Sequence, residues 1–597
     1  YKLQFNSLLE KIPELRKDHA AEDIKVEYKI IDKIDELKKL KDYIKDIIFV
    51  SFNVTDANVF SKSMIEKIYL NSEKNNFVIY IKDILDEDKD SALEILRSIF
   101  ENDEIEKVCH DVKVPMTVFR KFGINFKGLR FDTCVAAYLL NPSRGHYELT
   151  YVLQQYLGMD ISKDEDEAAV KENAALTKLY DVLSEKIKKA GMEKLFYSVE
   201  QPLIEVLSSM EMSGFKVDKN MLEETGKKFK AEIDKTQKEI YEMADENFNI
   251  NSPKQLGKIL FEKLDLPVIK KTKTGYSTNA EVLEKLSDKH PIIDKIVYYR
   301  QLAKLYSTYV EGLDAVIDTD KKIHSSFNQT VTATGRLSST EPNLQNIPVK
   351  YEMGKEIRKV FIPDSDDCIL LSADYSQIEL RVLAHISGDE NLINAFKNNM
   401  DIHTKTASEV FRVPVSDVTK AMRSSAKAVN FEIIYGIGDF SLAKNINVSR
   451  KEARSYIDTY FERYPKVKEY MDGIVEKAKK ECFVTTILGR RRYIPEINDH
   501  NKIVRSFGER LAMNSPIQGS AADIIKLAMV NVYKALKDNN LKSTLILQVH
   551  DELILNVYKN EADKVKEIVK KGMENVMELS VPLIVDINTG DNWYDAK

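Results

Sequence analysis

The 597-residue sequence has few cysteines, and they are not grouped. Only four are present, and they lie far apart along the chain: Cys109, Cys134, Cys368 and Cys482. A disulfide scaffold or a zinc site needs cysteines at close, regular spacing, so neither can organise this fold. The scarcity of cysteine is typical of a protein from a reducing cytoplasm, which is where we place it.

Long apolar runs and an excess of charge are also missing. No run is long enough to span a bilayer and no signal peptide is visible, so we expect no membrane association. Lys and Arg total 89 and Asp and Glu total 95, which gives a net charge of −6. Any basic surface for a nucleic acid must therefore be local.

The length predicts about three or four domains or subdomains. Because the sequence begins with Tyr1 rather than Met, we expect a fragment of a longer protein.

The most informative stretch is 370–381, which reads LLSADYSQIELR. An apolar run leads into Asp374, which predicts a buried strand with a carboxylate at its end. Much later, two apolar runs flank Asp551 and Glu552, which predicts a hairpin with acids at its tip. Asp374 and Asp551 could together hold two divalent cations for an in-line phosphoryl displacement. A lone Asp at a strand end is more often a turn residue, so this hypothesis depends on the other motifs.

A second informative stretch, 422–438, reads MRSSAKAVNFEIIYGIG. Four of its residues recur every four positions and so share one stripe of a predicted helix: Arg423, Lys427, Phe431 and Tyr435. Two cations followed by two aromatics suit a triphosphate followed by a sugar and a base. The alternative is an amphipathic helix with its aromatics in the core. A face that mixes Arg, Lys, Phe and Tyr favours binding over that alternative.

Two polar stretches predict contacts with a nucleic acid. The first, 324–348, is dense in Thr, Ser, Asn and Gln around Arg336. It offers neutral donors and one guanidinium to phosphates, sugars and base edges. The second is a stripe with four-residue spacing, made of Arg510, Asn514 and Gln518. Pro516 lies within it and is expected to kink any helix there, and the AADIIKLAM run that begins at Ala521 is expected to be an ordinary buried helix.

The chain before these motifs divides into an α/β part and a helical part. Residues 47–52 and 77–81 are predicted strands and 91–100 is a predicted helix, which together indicate an α/β domain. From residue 200 onward the pattern changes to long amphipathic helices. The Lys- and Glu-rich segment 221–243 is typical of a solvated two-helix arm.

A further helix start and a basic loop follow this arm. Ser252 as N-cap, Pro253 in the first turn and Gln255 as the partner in a capping box predict the start of a helix. A short loop then carries three cations, Lys270, Lys271 and Lys273. A solvated tip and a clamp on a phosphate backbone are both consistent with this loop.

Four blocks in order carry a resemblance to a known family: TATGRLSSTEPNLQNIP, DYSQIELR, RSSAKAVNFEIIYG and VHDEL. In combination they are specific, and the chain resembles the family A DNA polymerases, in the part covered by the large (Klenow-like) fragment of the bacterial enzymes. The resemblance is dense from Tyr299 to the end of the sequence and weaker before it. One departure is Glu432, where many members carry Gly.

The resemblance implies the fold. We expect an α/β domain of the 3′–5′ exonuclease type, which is ribonuclease H-like, followed by an α+β polymerase domain shaped as a right hand. The expected boundaries are 1–195 for the exonuclease-like domain, 196–320 for the thumb, 321–385 and 505–597 for the two parts of the palm, and 386–504 for the fingers. The 5′-nuclease domain that opens such proteins is not expected within these residues.

The resemblance also implies roles for individual residues. Asp374 and Asp551 match the catalytic carboxylates that bind metal, and Lys427 is a catalytic candidate as proton donor to pyrophosphate. The residues that match nucleotide-binding positions are Arg423, Lys427, Phe431, Tyr435, Glu379, Gln377 and His403. Among these, Phe431 lies beneath the sugar and Glu379 blocks a 2′-hydroxyl. The residues expected along the DNA are Arg336, Asn343, Gln345, Asn346, Arg510, Asn514, Gln518, His550, Glu552, Lys270, Lys271 and Lys273.

The implied activity is template-directed addition of deoxynucleotides to a primer 3′ end, with release of pyrophosphate, in replication and in gap filling during repair. The implied cofactors are two Mg²⁺ ions, with Mn²⁺ able to substitute, and the implied partners are primer–template DNA and dNTPs. We expect a monomer in the cytoplasm, associated with the nucleoid. The alternatives are a single-subunit RNA polymerase, against which Glu379 argues, and a non-enzymatic DNA-binding protein, against which the intact acids and cations argue.

The resemblance further predicts that the first domain has no proofreading activity. Active members carry an Asp-x-Glu at the end of the first strand, where this chain has Phe52, Asn53 and Val54, and its first acid is Asp56. Because two-metal hydrolysis needs several converging carboxylates, one displaced acid does not restore the site.

The other two motifs of the exonuclease are also incomplete. The second falls on Asp111 and Pro115, and the third, a Tyr-x-x-x-Asp pattern, falls on Ala169 and Asn173. Tyr156 and Asp160 fit the third pattern by letter but lie too early in the chain. Asn and Ala bring no negative charge and Pro has no ligating side chain, so we expect a structural role for this domain.

Overall fold

The computed structural model describes residues 26–57, 59–159, 165–273, 275–348, 352–436 and 438–597. An α/β part comes first and is followed by a helical arm, a four-stranded sheet and a bundle of helices. No helix within these ranges is long and apolar enough to cross a membrane.

The first part is built on one mixed sheet of six strands. The strands are Lys29–Ile31, Ile47–Thr55, Met64–Ser72, Asn75–Tyr80, Glu106–Cys109 and Leu129–Asp132. Their order is first, fourth, third, second, fifth, sixth, with the third strand antiparallel to both of its neighbours and the other pairs parallel. Apolar side chains such as Ile48, Val50 and Val108 are fully buried in it, as expected for a sheet covered by helices.

Six helices accompany this sheet: Ile34–Leu40, Ile81–Phe100, Lys113–Lys121, Thr133–Leu140, Leu149–Leu157 and Glu165–Lys189. The predicted strand at 47–52 is confirmed and runs three residues further, to Thr55. The predicted strand at 77–81 is placed correctly except for Ile81, which begins the helix that was predicted only at 91–100.

The helical arm is formed mainly by Lys219–Ala244 and Ile292–Leu305, with the shorter helices Pro253–Lys258 and Ala280–Glu284. The two long helices pack together around Ile240 and Ile296. The segment 221–243, predicted as a two-helix arm, is therefore one continuous helix, and its partner in the arm is Ile292–Leu305. Ser252 caps its helix through the amide of Gln255 at 3.4 Å. The capping box is only half formed, because the Gln255 side chain accepts instead from the Asn249 amide, at 2.6 Å.

The central sheet of the second part has four strands, all antiparallel, in the order Thr544–Val549, Glu552–Tyr558, Cys368–Tyr375 and Val585–Gly590. In this order, the predicted acidic hairpin forms the first two strands and the predicted buried strand is the third. Two helices, Lys502–Asp538 and Ala562–Glu574, pack against each other and against this sheet. The longer one, called the long palm helix below, has 37 residues and continues through Pro516, where a kink was predicted.

Seven further helices of the described part of the chain form a bundle beside the sheet. They are Ile378–Ser387, Glu390–Lys397, Ile402–Phe411, Lys420–Ile434, Asp439–Asn445, Arg450–Arg463 and Pro465–Glu481. The helix Lys420–Ile434, called the fingers helix below, begins at Thr419, whose hydroxyl accepts from the Met422 amide at 3.2 Å. Arg423, Lys427 and Phe431 of the predicted stripe are therefore on one helix, and Tyr435 is the residue that caps its C-terminal end. The helix Gln201–Ser213 and the short strands Phe215–Lys216, Lys322–Ile323, Ser326–Asn328 and Ser338–Thr340 connect these parts.

Candidate active site

Two carboxylates meet at one end of the central sheet. Asp374 lies one residue before the end of its strand, directly opposite Glu552. The next backbone amide, of Tyr375, donates to the carbonyl of Asp551 at 3.1 Å. Asp551 follows the left-handed residue His550 in the hairpin turn. The strand end and the hairpin tip therefore hold Asp374 and Asp551 side by side.

The surroundings disfavour the ionised form of both acids. Burial, and then the negative charge of Glu552, raise the pKa of Asp374 to about 6. Burial, and then the charge of Glu379, raise the pKa of Asp551 to about 6. Crowded and partly desolvated carboxylates of this kind are stabilised by a bound cation, because it supplies the missing opposite charge.

The donor set suits magnesium. Within the described ranges, no group of three or more His, Cys, Asp or Glu is arranged to hold a metal. Mg²⁺ keeps several waters and is commonly bound by one or two carboxylates together with substrate phosphates. A pair of hard oxygen donors such as Asp374 and Asp551, without a complete protein cage, fits that preference.

The third acid, Glu552, is held by protein partners. Its carboxylate accepts from the Ser372 hydroxyl at 2.7 Å and from the Lys597 ammonium at 2.9 Å, and its side chain is only 2% exposed. Lys597 also lowers the pKa of Asp374, against the raising effects of burial and of Glu552. Glu552 therefore acts on Asp374 through its charge. Neither Ser372 nor Lys597 was singled out from the sequence.

A ring of polar side chains lies next to the acids. Arg336 donates to Glu379 at 2.6 Å, and the carbonyl oxygen of Gln518, in the orientation that satisfies both partners, accepts from Arg336 at 3.0 Å. Gln345 donates to the backbone and side-chain oxygens of Gln548, both at 3.1 Å. Burial lowers the pKa of His550, at the hairpin tip. Arg336, Gln345, His550 and Asp551 also line one enclosed pocket.

Two opposing effects act on the ionisation of Glu379. Burial raises the pKa of its carboxyl, while the charge and hydrogen bond of Arg336 oppose that rise. It lies in the first turn of helix Ile378–Ser387, where a carboxylate is favoured by the helix dipole. Gln377 precedes that helix in a left-handed conformation with φ of 53°.

The predicted nucleotide stripe extends from the outer end of the fingers helix to the acids. Arg423 donates to Asp401 at 2.6 Å. Burial alone would raise the pKa of Asp401, but this contact with Arg423 helps to hold that pKa at about 2. The Lys427 ammonium is 5.9 Å from the centre of the Phe431 ring. The charges of Glu379, Arg336 and Asp551 all influence the pKa of Tyr435, after burial, so this end of the stripe adjoins the acids.

His403 completes this surface from the neighbouring helix. Its ring centre is 6.1 Å from that of Phe431, and Asn430 Nδ2 lies 3.0 Å from its Nδ1. Burial lowers the pKa of His403 to about 4, so the ring is neutral near pH 7. Thr406 donates to the carbonyl oxygen of Asn430 at 3.2 Å. Asn430 was missed in the sequence because it lies off the four-residue stripe.

The fingers helix ends against the long palm helix. Gly436 has φ of 63°, and a Cβ at this position would collide with the Met513 side chain and lie 3.5 Å from Arg510 Cα. Arg510 lies 5.9 Å from the Phe507 ring centre. Asn514 leaves its buried side-chain oxygen without a hydrogen-bond partner among the described residues.

The other expected DNA contacts are spread more widely. Asn343 accepts from the Gln345 amide at 3.1 Å, and both Asn343 and Asn346 are exposed. Lys270, Lys271 and Lys273 are exposed on the small hairpin formed by Lys271–Thr272 and Gly275–Tyr276, far along the chain from the acids. The departure at Glu432 is accommodated by a hydrogen bond from Asn445, and burial raises the pKa of its carboxyl.

In the exonuclease-like domain, the described Asn and Asp residues of the incomplete motifs are either buried in protein contacts or exposed. Asn173 is buried and donates to the backbone oxygen of Phe49, in the first motif's strand, at 3.1 Å. Asn53, Asp56 and Asp111 are exposed. Asp160 lies outside the described residues.

Asp132, a buried acid of this domain, is hydrogen-bonded by backbone amides. Asp132 is fully buried, and its carboxylate accepts from the amides of Cys134, Val135 and Val112 at 2.9–3.0 Å. Burial nevertheless raises its pKa to about 6. It caps helix Thr133–Leu140, which accounts for the carboxylate without a metal.

The fold is that of a right-hand polymerase. A ribonuclease H-like sheet comes first in the chain, and a helical thumb, a four-stranded palm with paired acids and a fingers bundle follow it. The model for DNA polymerase family A matches residues 219–595, and the model for the DNA polymerase I ribonuclease H-like domain matches 53–186. The chain belongs to DNA polymerase family A, a family of DNA-directed DNA polymerases. This confirms the predicted family and fold class, whereas the domain boundaries and residue roles stay predictions.

Similar proteins support the assignment. DNA polymerase I of Caldicellulosiruptor bescii is 52% identical over 508 residues, which cover 84% of this chain and 59% of that protein. DNA polymerase I of Bacillus subtilis is 46% identical over 622 residues, covering 100% and 68%. A solved structure described as the POL domain of Pol1 from M. smegmatis in complex with DNA primer-template and dNTP has a TM-score of 0.87 at 36% identity, over 94% of this chain and 98% of that one. The chain thus spans 59% to 68% of these two curated relatives.

Proposed function

We propose that this chain is a template-directed DNA polymerase that adds deoxynucleotides to a primer 3′ end and releases pyrophosphate. The observation that carries the proposal is the adjacency of the Asp374 and Asp551 pair to the aromatic end of the fingers stripe. A triphosphate laid along that stripe would present its α-phosphorus near the acids. The expected partners, primer–template DNA and dNTPs, are those bound in the similar M. smegmatis structure.

We assign the metal-binding role to Asp374 and Asp551. Two Mg²⁺ ions, or Mn²⁺ in their place, would when bound lower the pKa of the primer 3′-hydroxyl and neutralise charge on the leaving pyrophosphate. The raised pKa values of both carboxyls support this assignment, because a bound cation stabilises the ionised form that burial disfavours.

The fingers residues bind and orient the incoming nucleotide. Arg423 and Lys427 complement the triphosphate, and Lys427 donates a proton to the departing pyrophosphate. Arg423 must exchange its contact with Asp401 for the phosphates. Neutral His403 donates to a phosphate oxygen through the ring nitrogen that Asn430 leaves free. Closure of the fingers helix over a correctly shaped base pair would link chemistry to pairing.

We assign the other residues around Asp374 and Asp551 to the sugar, the base and the DNA. Phe431 lies beneath the sugar, Tyr435 at the junction of template and incoming base, and Glu379 where a 2′-hydroxyl would fall, with Gln377 beside it. The residues along the primer–template are Arg336, Asn343, Gln345, Asn346, Arg510, Asn514, Gln518, His550 and Glu552. The thumb lysines Lys270, Lys271 and Lys273 neutralise backbone phosphates farther along the duplex.

We also propose that the first domain has no 3′–5′ proofreading activity and supports the polymerase half. Asn173 supplies an amide bonded to Phe49 where a metal-binding acid is needed, and Asp132 is used as a helix cap. Hydrolysis needs converging carboxylates to hold two ions, and the described residues of this domain supply no such group. We place the protein in the cytoplasm as a monomer on nucleoid DNA, acting in replication and gap-filling repair.

A primer-extension assay tests the proposal. The purified chain is incubated with Mg²⁺, a primed template and either dNTPs or rNTPs. We expect extension to the template end with dNTPs and little with rNTPs. Preferential use of rNTPs would favour an RNA polymerase, and DNA binding without extension would favour a non-enzymatic protein.

A further inference from the structure

Four charged side chains form a buried cluster behind the candidate active site. The cluster consists of Glu200, Arg490, Asp523 and Lys526, each with a side chain at most 2% exposed. Arg490 donates to Glu200 and, at 2.8 Å, to Asp523. Lys526 donates to Glu200 at 2.7 Å. Two carboxylates balance two cations, which is the condition under which charges are tolerated in a protein interior.

The cluster joins three separate parts of the chain. Glu200 directly precedes helix Gln201–Ser213, Arg490 adjoins strand Arg491–Tyr493, and both Asp523 and Lys526 belong to the long palm helix. Further donors complete the network: Gln329 donates to the Glu200 side chain at 2.7 Å and Thr486 donates to Asp523 at 2.6 Å. The Arg490 fork therefore fixes three parts of the molecule relative to one another.

The turn that precedes Arg336 is built on the Arg490 side chain. A Cβ at Gly335 would lie 2.5–2.9 Å from Arg490 Nε, Cζ and Cδ, and Gly335 has φ of 86°, so both space and conformation require glycine. The Thr332 hydroxyl donates to the backbone oxygen of Arg336 at 2.6 Å, and the Tyr138 hydroxyl donates to that of Thr332 at 2.8 Å.

From this turn the contacts lead directly to the nucleotide site. Arg336 donates to Glu379, and Gln518 lies on the same helix as Asp523 and accepts from Arg336. We propose that Arg490 is a positioning residue: it fixes Arg336 and, through it, the Glu379 carboxylate that separates deoxyribonucleotides from ribonucleotides. This inference rests on the proposed function and adds a determinant of its substrate selectivity.

Arg490→Lys tests the inference because it keeps the positive charge and removes the fork that spans Glu200 and Asp523. We expect the selectivity ratio, kcat/KM for a dNTP over that for the matching rNTP, to fall at least about tenfold, since a small displacement of a positioned group is costly. The matched control is Arg300→Lys in the thumb, whose guanidinium donates to the backbone oxygens of Thr278 and Ile250 at 2.6 and 3.2 Å. The control should leave the ratio unchanged.

A double-mutant cycle separates positioning from general support of the fold. If Arg490 acts through Arg336, then Arg490→Lys changes the selectivity ratio in the parent and changes it no further in an Arg336→Ala background. Equal fold-changes in both backgrounds, or an unchanged ratio in the parent, would overturn the inference.

A charge-neutral variant covers the case in which Arg490→Lys does not fold. Glu200→Gln combined with Lys526→Met removes one charge of each sign and retains the Arg490 contact with Asp523. We expect the same direction of change in the selectivity ratio, and a parental ratio would overturn the inference. A parent chain that extends no primer would overturn the proposed function itself, which distinguishes the two failures.

Discussion

The backbone amide of Tyr375 donates a hydrogen bond to the backbone carbonyl of Asp551 at 3.1 Å. This bond joins the end of one strand to the tip of a hairpin that lies more than one hundred and seventy residues later in the sequence. It places Asp551 beside Asp374 through backbone geometry alone. The acid pair is therefore as rigid as the sheet that carries it, which a site for metal-assisted phosphoryl transfer requires.

The acid pair should destabilise the metal-free fold above pH 6. Both carboxyls have a folded-state pKa raised from 3.8 to about 6. Their contribution to stability is therefore complete below pH 3.8 and is lost as pH rises through 6. In EDTA at pH 7.5, Asp374→Asn should raise the free energy of unfolding, on the order of 1–3 kcal/mol. At pH 4 the gain should vanish.

Thermal unfolding at the two pH values measures this effect. The matched control is Asp591→Asn, an exposed acid just after strand Val585–Gly590, which should change little. Added Mg²⁺ should stabilise the parent at pH 7.5 more than the Asp374→Asn variant. A variant less stable than the parent at pH 7.5 would show that the carboxylate is not under charge strain.

Glu379→Ala should admit ribonucleotides, because the 2′-hydroxyl needs the volume that the Glu379 side chain fills. Loss of this carboxylate also frees Arg336 from its 2.6 Å contact, so Glu379→Gln, which keeps the volume, serves as the control. Single-nucleotide incorporation measures kcat/KM for dNTP and rNTP. Equal selectivity in Glu379→Ala and the parent would place the discrimination elsewhere.

Phe431→Tyr should improve the use of dideoxynucleotides, since a phenol hydroxyl beneath the sugar supplies a polar partner in place of the missing 3′-hydroxyl. The ratio of ddNTP to dNTP incorporation in a chain-termination assay reports the change. Phe461→Tyr, on the helix Arg450–Arg463 of the same bundle, is the control. An unchanged ratio in Phe431→Tyr would argue that the ring does not lie under the sugar.

The first domain should not shorten a mismatched primer. An end-labelled primer with a 3′ mismatch is incubated with the chain and Mg²⁺, without nucleotides. We expect no stepwise shortening, because Asn173 and Asn53 bring no charge to the strand that would hold the ions. Shortening that disappears when Asp56 and Asp111 are replaced would show that the exonuclease motifs were misplaced.

The elements that bear the site could be predicted from local patterns. The apolar run before Asp374 and the paired runs around Asp551 have strand character by themselves, and the four-residue stripe from Arg423 to Tyr435 has helical character. Each of these depends only on neighbours in the sequence. The structure confirms the strand, the hairpin and the helix.

What could not be predicted depends on residues distant in the sequence. The run from Ala521 was expected to be an ordinary buried helix, yet it carries Asp523 and Lys526 into the charge cluster with Arg490 and Glu200. Their charges look unfavourable in that helix until a partner more than three hundred residues away is known. The chemistry of proline predicts a kink at Pro516, but it does not predict that the long palm helix continues beyond it to Asp538.

The most direct test of the central claim compares nucleotide addition with DNA affinity in Asp374→Asn and Asp551→Asn. Primer extension in Mg²⁺ and the Kd for the same primer–template are measured together, with Asp591→Asn as the control. The account predicts that both variants lose addition while the Kd stays close to that of the parent, because phosphate contacts elsewhere dominate binding. Near-normal extension by either variant would contradict it.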